Sequence, residues 1–311
     1  MPAASQKYYR SLKPLVPLSS LPRPLNLEEL FGRKAPVELE IGFGNGEFLH
    51  RRSLETPERD FLGIEIAWPS VKRALRRLGN PPRSNARLIC QPARSVLERS
   101  IPPGSLARVS ALFPVPWPKN EKKRLFSRDF LDLLSSRLGD GGLFILVTDH
   151  LPLAEWILEE SRGTALPLSL ENKSQAPDTK YQRKWLESGA ALFHHLKGEK
   201  RPDPAASAAP EVFVRPLYVE NLDPSSFSPR GVTGETTVVF KEFVFDPLLN
   251  EGLLNAKVVE DSFVQEFFIR VRKTKDNGPW KLYPAHSERV FPTQGVQLAL
   301  TLAAEGGKTG P

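Results

Sequence analysis

Cysteine is nearly absent from this chain of 311 residues, which contains only Cys90. A single cysteine excludes an internal disulfide and favours a reducing compartment, and we expect its thiol to be a small buried hydrophobe. No apolar run approaches the roughly 18 residues of a membrane span, and the N-terminus lacks the continuous apolar core of a secretory signal. The sequence therefore argues against a disulfide-rich secreted domain and a helical membrane protein, and we expect a cytoplasmic protein.

Acidic residues are outnumbered, because 43 Lys and Arg oppose 36 Asp and Glu and leave a formal net charge of +7. Between Lys72 and Arg99 the chain has eight basic residues and one acid, Glu98, a surplus as large as that of the whole chain. Such a concentration predicts a surface that contacts phosphates, although a basic helix is usually no more than a solvated face. The basic residues are Lys72, Arg73, Arg76, Arg77, Arg83, Arg87, Arg94 and Arg99.

Helical periodicity weakens in the last third of the chain, and this change divides the sequence into domains. Residues 37–197 alternate strand and helix patterns, residues 198–210 (GEKRPDPAASAAP) have the composition of a linker, and residues 211–305 contain short alternating strands. We predict a basic, proline-rich arm at residues 1–36, irregular except for a short helix near Asn26–Phe31. An α/β domain and a small, mostly antiparallel β domain follow it.

The predicted strands of the α/β domain are Val37–Ile41, Phe61–Ile66, Arg87–Cys90, Leu106–Phe113, Leu143–Val147 and Ala191–Leu196, with a turn at Gly139–Gly142 and irregular structure at residues 161–178. Those of the β domain are Val212–Val219, Thr236–Phe245, Val264–Lys273, Trp280–Leu282 and Val296–Leu302. The β domain has no metal-ligand cluster and no catalytic constellation. Its aromatic residues should mostly be core, and its basic residues leave a second nucleic-acid surface as an open alternative.

The stretch Val37–Gly46 (VELEIGFGNG) organises the α/β domain. An alternating strand runs into glycines at positions 42, 44 and 46, and helix formers follow. Glycine is needed where the backbone adopts a positive φ or approaches a ligand closely. The spacing is G-x-G-x-G rather than the G-x-G-x-x-G of dinucleotide-binding proteins, and a tight turn in some other α/β protein is the alternative interpretation.

Unusual residues also lie at or just beyond the carboxyl ends of three other predicted strands. Glu65 lies 23 residues after Gly42, where an acidic residue is placed to accept hydrogen bonds from a ribose. The fourth strand runs into FPVPWPK, which ends at Lys119, and the fifth ends in Thr148, Asp149 and His150. Because ligands of open α/β sheets bind outside the carboxyl ends of the strands, we expect these residues to share one edge.

Together, the segments LEIGFGNGEF, FLGIEI, FPVPWPK, LVTDH and DTKYQRKWLESG closely resemble the bacterial tRNA (guanine-N7-)-methyltransferase family over residues 37–197. The resemblance implies a Rossmann-like fold that uses S-adenosylmethionine to methylate N7 of guanosine 46 in the tRNA variable loop. Some members carry an extra C-terminal region, and the β domain resembles such an extension. The oligomeric state, monomer or homodimer, stays open.

The resemblance also implies roles for individual residues. Cofactor-binding positions are matched by Glu40, Gly42, Gly44, Gly46, Glu65 and Ala93, and substrate-binding positions by Lys119, Asp149, Thr179, Tyr181 and Gln182. Three family acids are replaced here, by Pro92, Val115 and Gln182, and Val115 stands where the family has its FPDPW aspartate. The open alternatives are a non-catalytic RNA-binding protein on a methyltransferase scaffold and a methyltransferase with another substrate.

Overall fold

The computed structural model describes residues 11–18, 21–79, 83–174, 192–202, 212–260, 263–274, 278–285 and 290–307. The chain splits into two compact units, one of residues 1–16 and 22–210 and the other of residues 17–21 and 211–311. Each unit is built on its own β-sheet. Within the described ranges, every helix is too short or too polar to cross a membrane.

The first unit is an α/β sandwich. Its strands are β1 (Val37–Ile41), β2 (Asp60–Ile64), β3 (Ala86–Ile89), β4 (Leu106–Leu112), β5 (Leu138–Thr148), β6 (Leu168–Lys173) and β7 (Phe193–Glu199). Its helices are α1 (Leu27–Phe31), α2 (Glu47–Glu55), α3 (Trp68–Leu78), α4 (Ala93–Arg99), α5 (Arg128–Arg137) and α6 (Leu151–Glu160). The strand order is β3-β2-β1-β4-β5-β7-β6. Strands β1 to β5 are parallel, and β7 runs antiparallel to both of its neighbours.

The basic helix α3 shows how the sequence pattern builds this unit. Val71, Leu75 and Leu78 are buried at helical spacing in a core shared with α2 and β2. The basic residues of the helix are exposed on the opposite side. The helix is therefore amphipathic, with its apolar stripe buried against α2 and the sheet and its basic face in solvent.

The described part of the N-terminal arm, residues 11–18 and 21–36, is more ordered than predicted. The short helix α1 forms as expected, because the Asn26 side chain accepts a hydrogen bond from the Glu29 backbone N–H at 3.2 Å and caps it. Earlier in the arm, the chain extends along the free side of β3. The Val16 N–H donates to the Leu88 carbonyl at 2.8 Å, and the Leu88 N–H donates to the Pro14 carbonyl at 2.8 Å. The arm is therefore hydrogen-bonded to the sheet.

Three further predictions in the first unit are corrected. Residues 168–173 form strand β6 rather than irregular structure, but most of its side chains are exposed, so its sequence carries no burial pattern. Strand β5 runs through the predicted turn at Gly139–Gly142, where Gly141 adopts φ +71°. Strand β7 extends to Glu199 and thus includes two residues assigned to the linker. Residues 203–210 of that linker lie outside the described residues.

The second unit packs one helix on a five-stranded antiparallel sheet. Its elements are β8 (Leu217–Val219), β9 (Thr236–Asp246), β10 (Glu251–Glu260), β11 (Phe263–Lys273), β12 (Trp280–Pro284) and α7 (Gln294–Gly306). The strand order is β8-β12-β11-β10-β9. The inward side chains, among them Leu254, Ile269 and Leu282, form one core with Val296 and Leu300 of the helix.

Three elements of the second unit differ from the prediction. Strand β8 covers only Leu217–Val219 of the strand predicted at Val212–Val219. Residues 296–302 form part of α7 rather than a strand. The Thr293 hydroxyl caps this helix by accepting from the Val296 N–H at 3.2 Å, and burial of positions 296, 299, 300 and 303 follows the helical period. Strand β10 was not predicted, because glycine and alanine (Gly252 and Ala256) occupy its inward face and weaken the alternation of hydrophobic and polar residues.

Candidate active site

The carboxyl ends of four neighbouring strands meet at one edge of the first sheet. In the order β2-β1-β4-β5, they lead into Glu65, the glycine loop at residues 42–46, the segment Phe113–Lys119 and Asp149. The structure thus brings together the residues that the sequence placed at this edge. In open α/β sheets this edge is where ligands bind.

The glycine loop combines an open concave surface with a packed base. Gly42, Gly44 and Gly46 have φ values of +71°, +56° and +71°, a conformation that other residues adopt at a cost. A Cβ placed on Gly42 or Gly44 would meet no atom within 4 Å, whereas one on Gly46 would lie 2.6 Å from the Ala74 Cβ. Gly46 therefore serves the packing of the loop on α3, and the other two leave room for a ligand close to the backbone.

The Glu65 carboxylate links the loop that follows β1 to the loop that follows β2. Its Oε2 accepts a hydrogen bond from the Gly44 N–H at 3.0 Å, and its Oε1 accepts one from the Ala67 N–H at 3.0 Å. These two bonds hold the half-buried carboxylate in a single orientation beside the glycine loop. The next residue, Ile66, is 69% exposed, so an apolar side chain lies next to a fixed acceptor.

The Glu40 carboxyl is buried beneath the loop and is incompletely satisfied. Its Oε2 has no hydrogen-bond partner among the described residues. Burial raises the pKa of Glu40 from 4.5 to about 8, a hydrogen bond from the Leu49 backbone N–H opposes this rise, and the charge of Glu65 adds to it. A buried acceptor without a partner is costly unless a donor arrives, so this oxygen marks a place for a donor or cation from a ligand.

The segment after β4 is strained and held in place. Phe113 and Trp117 adopt φ values of +53° and +44°, which non-glycine residues rarely do and which cluster at functional sites. The buried Arg124 donates from Nε to the Pro116 carbonyl at 3.1 Å, and its guanidinium lies 5.1 Å from the centre of the Trp156 ring. This structural role of Arg124 depends on a tertiary contact with α6.

The exposed tip of this segment carries aromatic and basic side chains. Trp117 is exposed, and the Lys123 ammonium lies 4.8 Å from the centre of its ring. Lys119 is exposed beside it. Val115 is 63% exposed and offers no hydrogen-bond acceptor. The replaced family acid would therefore have stood on an accessible surface.

Pro92 and Ala93 begin α4 after the third strand. Pro92 is the N-cap residue, with φ −61°, and provides no side-chain hydrogen bond to the helix. An aspartate at this position would accept from the first backbone N–H groups of the helix. Its replacement thus removes a capping oxygen as well as a carboxylate near the sheet edge.

Two histidines lie near Asp149, and neither was predicted to have a role. His150 caps α6, because its Nδ1 accepts from the Leu153 N–H at 3.1 Å and its Nε2 is therefore the protonated nitrogen in the neutral ring. On β7, the Nδ1 of His194 lies 2.7 Å from the Oδ1 of Asn172. Burial lowers the pKa of His194, against the opposing charge of Asp149. The proline at position 152, in the first turn of α6, is the sequence signal for this helix start.

The basic window of residues 72–99 is divided between surface and structure. Five of its basic side chains are exposed: Lys72, Arg73, Arg76, Arg77 and Arg83. The others are partly buried, and Arg87 is structural, since it donates to the Leu30 carbonyl at 3.1 Å and lies over the Phe31 ring. The surface charge is therefore smaller than the sequence count. The substrate positions Thr179, Tyr181 and Gln182 lie outside the described residues.

Comparisons with known proteins agree with this architecture. Residues 34–195, just over half of the chain, match the family model described as "Putative methyltransferase". A protein from Alkalilimnicola ehrlichii named tRNA (guanine-N(7)-)-methyltransferase is 37% identical over 208 residues, which cover 63% of this chain and 87% of that protein. A protein of the same name from Yersinia pseudotuberculosis is 39% identical over 176 residues, which cover 55% and 74%.

A third relative with that name, from Thermus thermophilus, also shares part of the second unit. It is 34% identical over 261 residues, which cover 81% of this chain and 83% of that protein. Since 81% of 311 residues is about 252, the match is longer than the 210 residues before the second unit and must extend into it. The family match, the relatives and the site geometry lead to one conclusion: this chain belongs to the tRNA (guanine-N7-)-methyltransferase family.

Proposed function

We propose that this tRNA (guanine-N7-)-methyltransferase uses S-adenosylmethionine as methyl donor and acts on guanosine 46 in the tRNA variable loop. The observation that carries the proposal is the open space at Gly42 and Gly44, bounded by the fixed carboxylate of Glu65 and the buried, unpartnered oxygen of Glu40. We also propose a cytoplasmic location, which a tRNA substrate supports.

The residues present fit the cofactor. Glu40 would receive the ammonium of its methionine part, Glu65 would accept from its ribose hydroxyls, and the exposed Ile66 would offer an apolar surface to its adenine ring. The loop backbone at Gly42 and Gly44 would lie against the methionine part of the cofactor, near Ala93 at the start of α4. When bound, S-adenosylmethionine supplies a methyl group on a sulfonium, which an in-line nucleophile can attack.

The chemistry of guanine N7 explains why a missing acid need not abolish turnover. N7 has a free lone pair and no proton to remove, so the reaction needs no general base. The protein contributes by positioning the guanine and excluding water. Asp149 can accept from the guanine N1–H and N2–H edge, the exposed Trp117 ring can stack on a base, and Lys119 can meet a phosphate. The lost contact at Val115 is worth about 1–3 kcal/mol, or roughly 5- to 150-fold in rate.

A second candidate function, RNA binding without methyl transfer or with another substrate, is favoured by one observation. At two positions where the family has acids, this chain offers no acceptor, since Val115 is apolar and exposed and Pro92 makes no side-chain hydrogen bond. Against it, a pure RNA binder has no need for a glycine loop with a carboxylate fixed across it.

The test is methyl transfer from labelled S-adenosylmethionine to unmodified tRNA transcripts, with N7-methylguanosine located by borohydride and aniline cleavage. A transcript with adenosine at position 46 is the matched control. Cleavage at guanosine 46 alone, absent from the control, supports the proposal. Incorporation elsewhere would reject the assigned position, and cofactor binding without incorporation would favour the second candidate.

A further inference from the structure

The sheet of the second unit has one face against α7 and one face open to solvent. Along each strand, side chains that alternate with the buried ones point away from the helix. On the open face, Tyr218 is 57% exposed and Phe268 is 41% exposed. Large aromatic side chains left exposed together mark interaction surfaces more often than isolated ones do.

Three aromatic residues lie on a straight diagonal across this face. Tyr218 of β8 is paired with Lys281 of β12, and Tyr283 stands two residues further along β12. Tyr283 is paired with Arg270 of β11, and Phe268 stands two residues before it. Because the strands are antiparallel, each step advances by the same amount in the same direction, and diagonal neighbours are about 7–8 Å apart. We call Tyr218, Tyr283 and Phe268 the aromatic diagonal.

Basic side chains accompany the aromatic diagonal. The Lys281 ammonium lies 5.1 Å from the centre of the Tyr283 ring and 6.0 Å from that of Tyr218. Arg270 and Arg272 project from β11 on the same face and share one acid, Glu251, at 3.3 and 3.5 Å. These basic groups therefore leave a local positive excess beside the rings.

The local charge differs from that of the whole unit. Residues 211–311 contain 11 Lys and Arg against 13 Asp and Glu, so the second unit as a whole is slightly acidic. The positive excess at the aromatic diagonal is thus a feature of this face. Basic groups beside evenly stepped aromatic rings match a polyanion with flat, regularly repeated rings.

We propose that the aromatic diagonal binds unpaired nucleotides of the tRNA substrate. Successive bases stack on the rings, and Lys281, Arg270 and Arg272 meet the phosphates. Open sheet faces with two or three aromatic residues bind single-stranded RNA in this way, and base stacking on aromatic rings tolerates any sequence. The identity of the RNA as tRNA rests on the proposed function. The contact would anchor the substrate without reading its bases.

The experiment compares the affinity of the full chain and its variants for an unmodified tRNA transcript. The variant Tyr218→Ala/Tyr283→Ala should bind at least 5-fold more weakly, given the roughly 5- to 150-fold expected for each stacked base. Tyr218→Phe/Tyr283→Phe keeps the rings and should stay within about 2-fold of the wild type. Val264→Ala, an exposed change on the same face away from the diagonal, should leave affinity unchanged.

Methylation kinetics and sedimentation separate the alternatives. An increase in KM for tRNA with unchanged kcat in the double alanine variant supports the proposal. Unchanged affinity in that variant, or an equal loss in the phenylalanine variant, overturns it. A change of oligomeric state on alanine substitution also overturns it, since the face would then join copies of the chain. A wild-type chain that neither binds nor methylates tRNA would overturn the proposed function as well.

Discussion

Glu40→Gln is expected to stabilise the fold at neutral and alkaline pH. The Glu40 carboxyl is buried where its charged form is disfavoured, and its pKa is about 8 instead of 4.5. Glutamine keeps the shape of the side chain and an oxygen for the Leu49 N–H, but it cannot ionise. The substitution therefore removes the cost of burying a carboxylate and little else from the folded chain.

The magnitude follows from the two pKa values. The folded state holds the proton of Glu40 more tightly than the unfolded state does. The contribution of Glu40 to the free energy of unfolding is therefore fully present below about pH 4.5 and is lost as pH rises to about 8. At about 1.4 kcal/mol per pH unit, this interval corresponds to a loss of about 5 kcal/mol. About 3 kcal/mol of it has already been lost at pH 7. The variant should show none of this loss.

Urea unfolding of the wild type and the variant at about pH 5, 7 and 9 measures the effect, since the difference in the free energy of unfolding should grow across that range. Glu38→Gln is the matched control. Glu38 is also buried on β1, but it is paired with Arg52 and Arg59, each at 3.1 Å. Its substitution should therefore destabilise the fold.

A gap between wild type and Glu40→Gln that is the same at every pH would refute this reasoning. It would mean that the Glu40 carboxylate is solvated or paired in the folded protein. The same variant should bind S-adenosylmethionine more weakly, because glutamine cannot offer a negative charge to its ammonium. A higher free energy of unfolding together with weaker cofactor binding would show that Glu40 destabilises the folded chain but contributes to cofactor binding.

Three further predictions concern the sheet edge. Gly46→Ala should lower the free energy of unfolding by about 1–3 kcal/mol, because Gly46 has a positive φ and a Cβ there would lie 2.6 Å from the Ala74 Cβ. Gly104→Ala is the control in the same urea titration: Gly104 has φ +64° and no atom within 4 Å of a Cβ, so this variant should lose only the energy that the positive φ costs an alanine. Val115→Asp should raise kcat/KM for tRNA by about 5- to 150-fold with an unchanged melting temperature, and no gain would mean that another group already provides the acceptor. Glu65→Ala should weaken cofactor binding by about 10- to 150-fold in calorimetry, with Glu65→Gln in between; equal affinities would remove Glu65 from the cofactor site.

The sequence predicted those features whose cause is local. Glycines at alternating positions after a strand indicate a loop with positive φ. The position of Glu65 beside this loop followed from its spacing after Gly42, which is typical of such folds. The hydrogen bonds that fix Glu65 could not be predicted, because they depend on how two loops approach each other. The structural role of Arg124 could not be predicted for the same reason, since only the fold brings it against Trp156.

Elements with weak or misleading patterns were missed. Strand β10 turns small residues inward, and β6 is an exposed edge strand, so neither shows the alternation that identifies a half-buried strand. The residues of α7 alternate over five positions like a strand, and only the Thr293 cap and the longer helical period favour a helix. In each case packing against a partner element decided the structure.

The extended arm segment protects one end of the large sheet from self-association. β3 is an edge strand, and the unpaired N–H and C=O groups of such a strand can pair with a strand from another chain. Hydrogen bonds with the arm occupy the Leu88 N–H and carbonyl, and Pro14 has no N–H with which to extend the ladder further. Because about 70 residues separate the arm from β3 in the sequence, a folding chain depends on a distant segment to close this edge. Loss of the arm would therefore show first as aggregation, with every residue of the active site still in place.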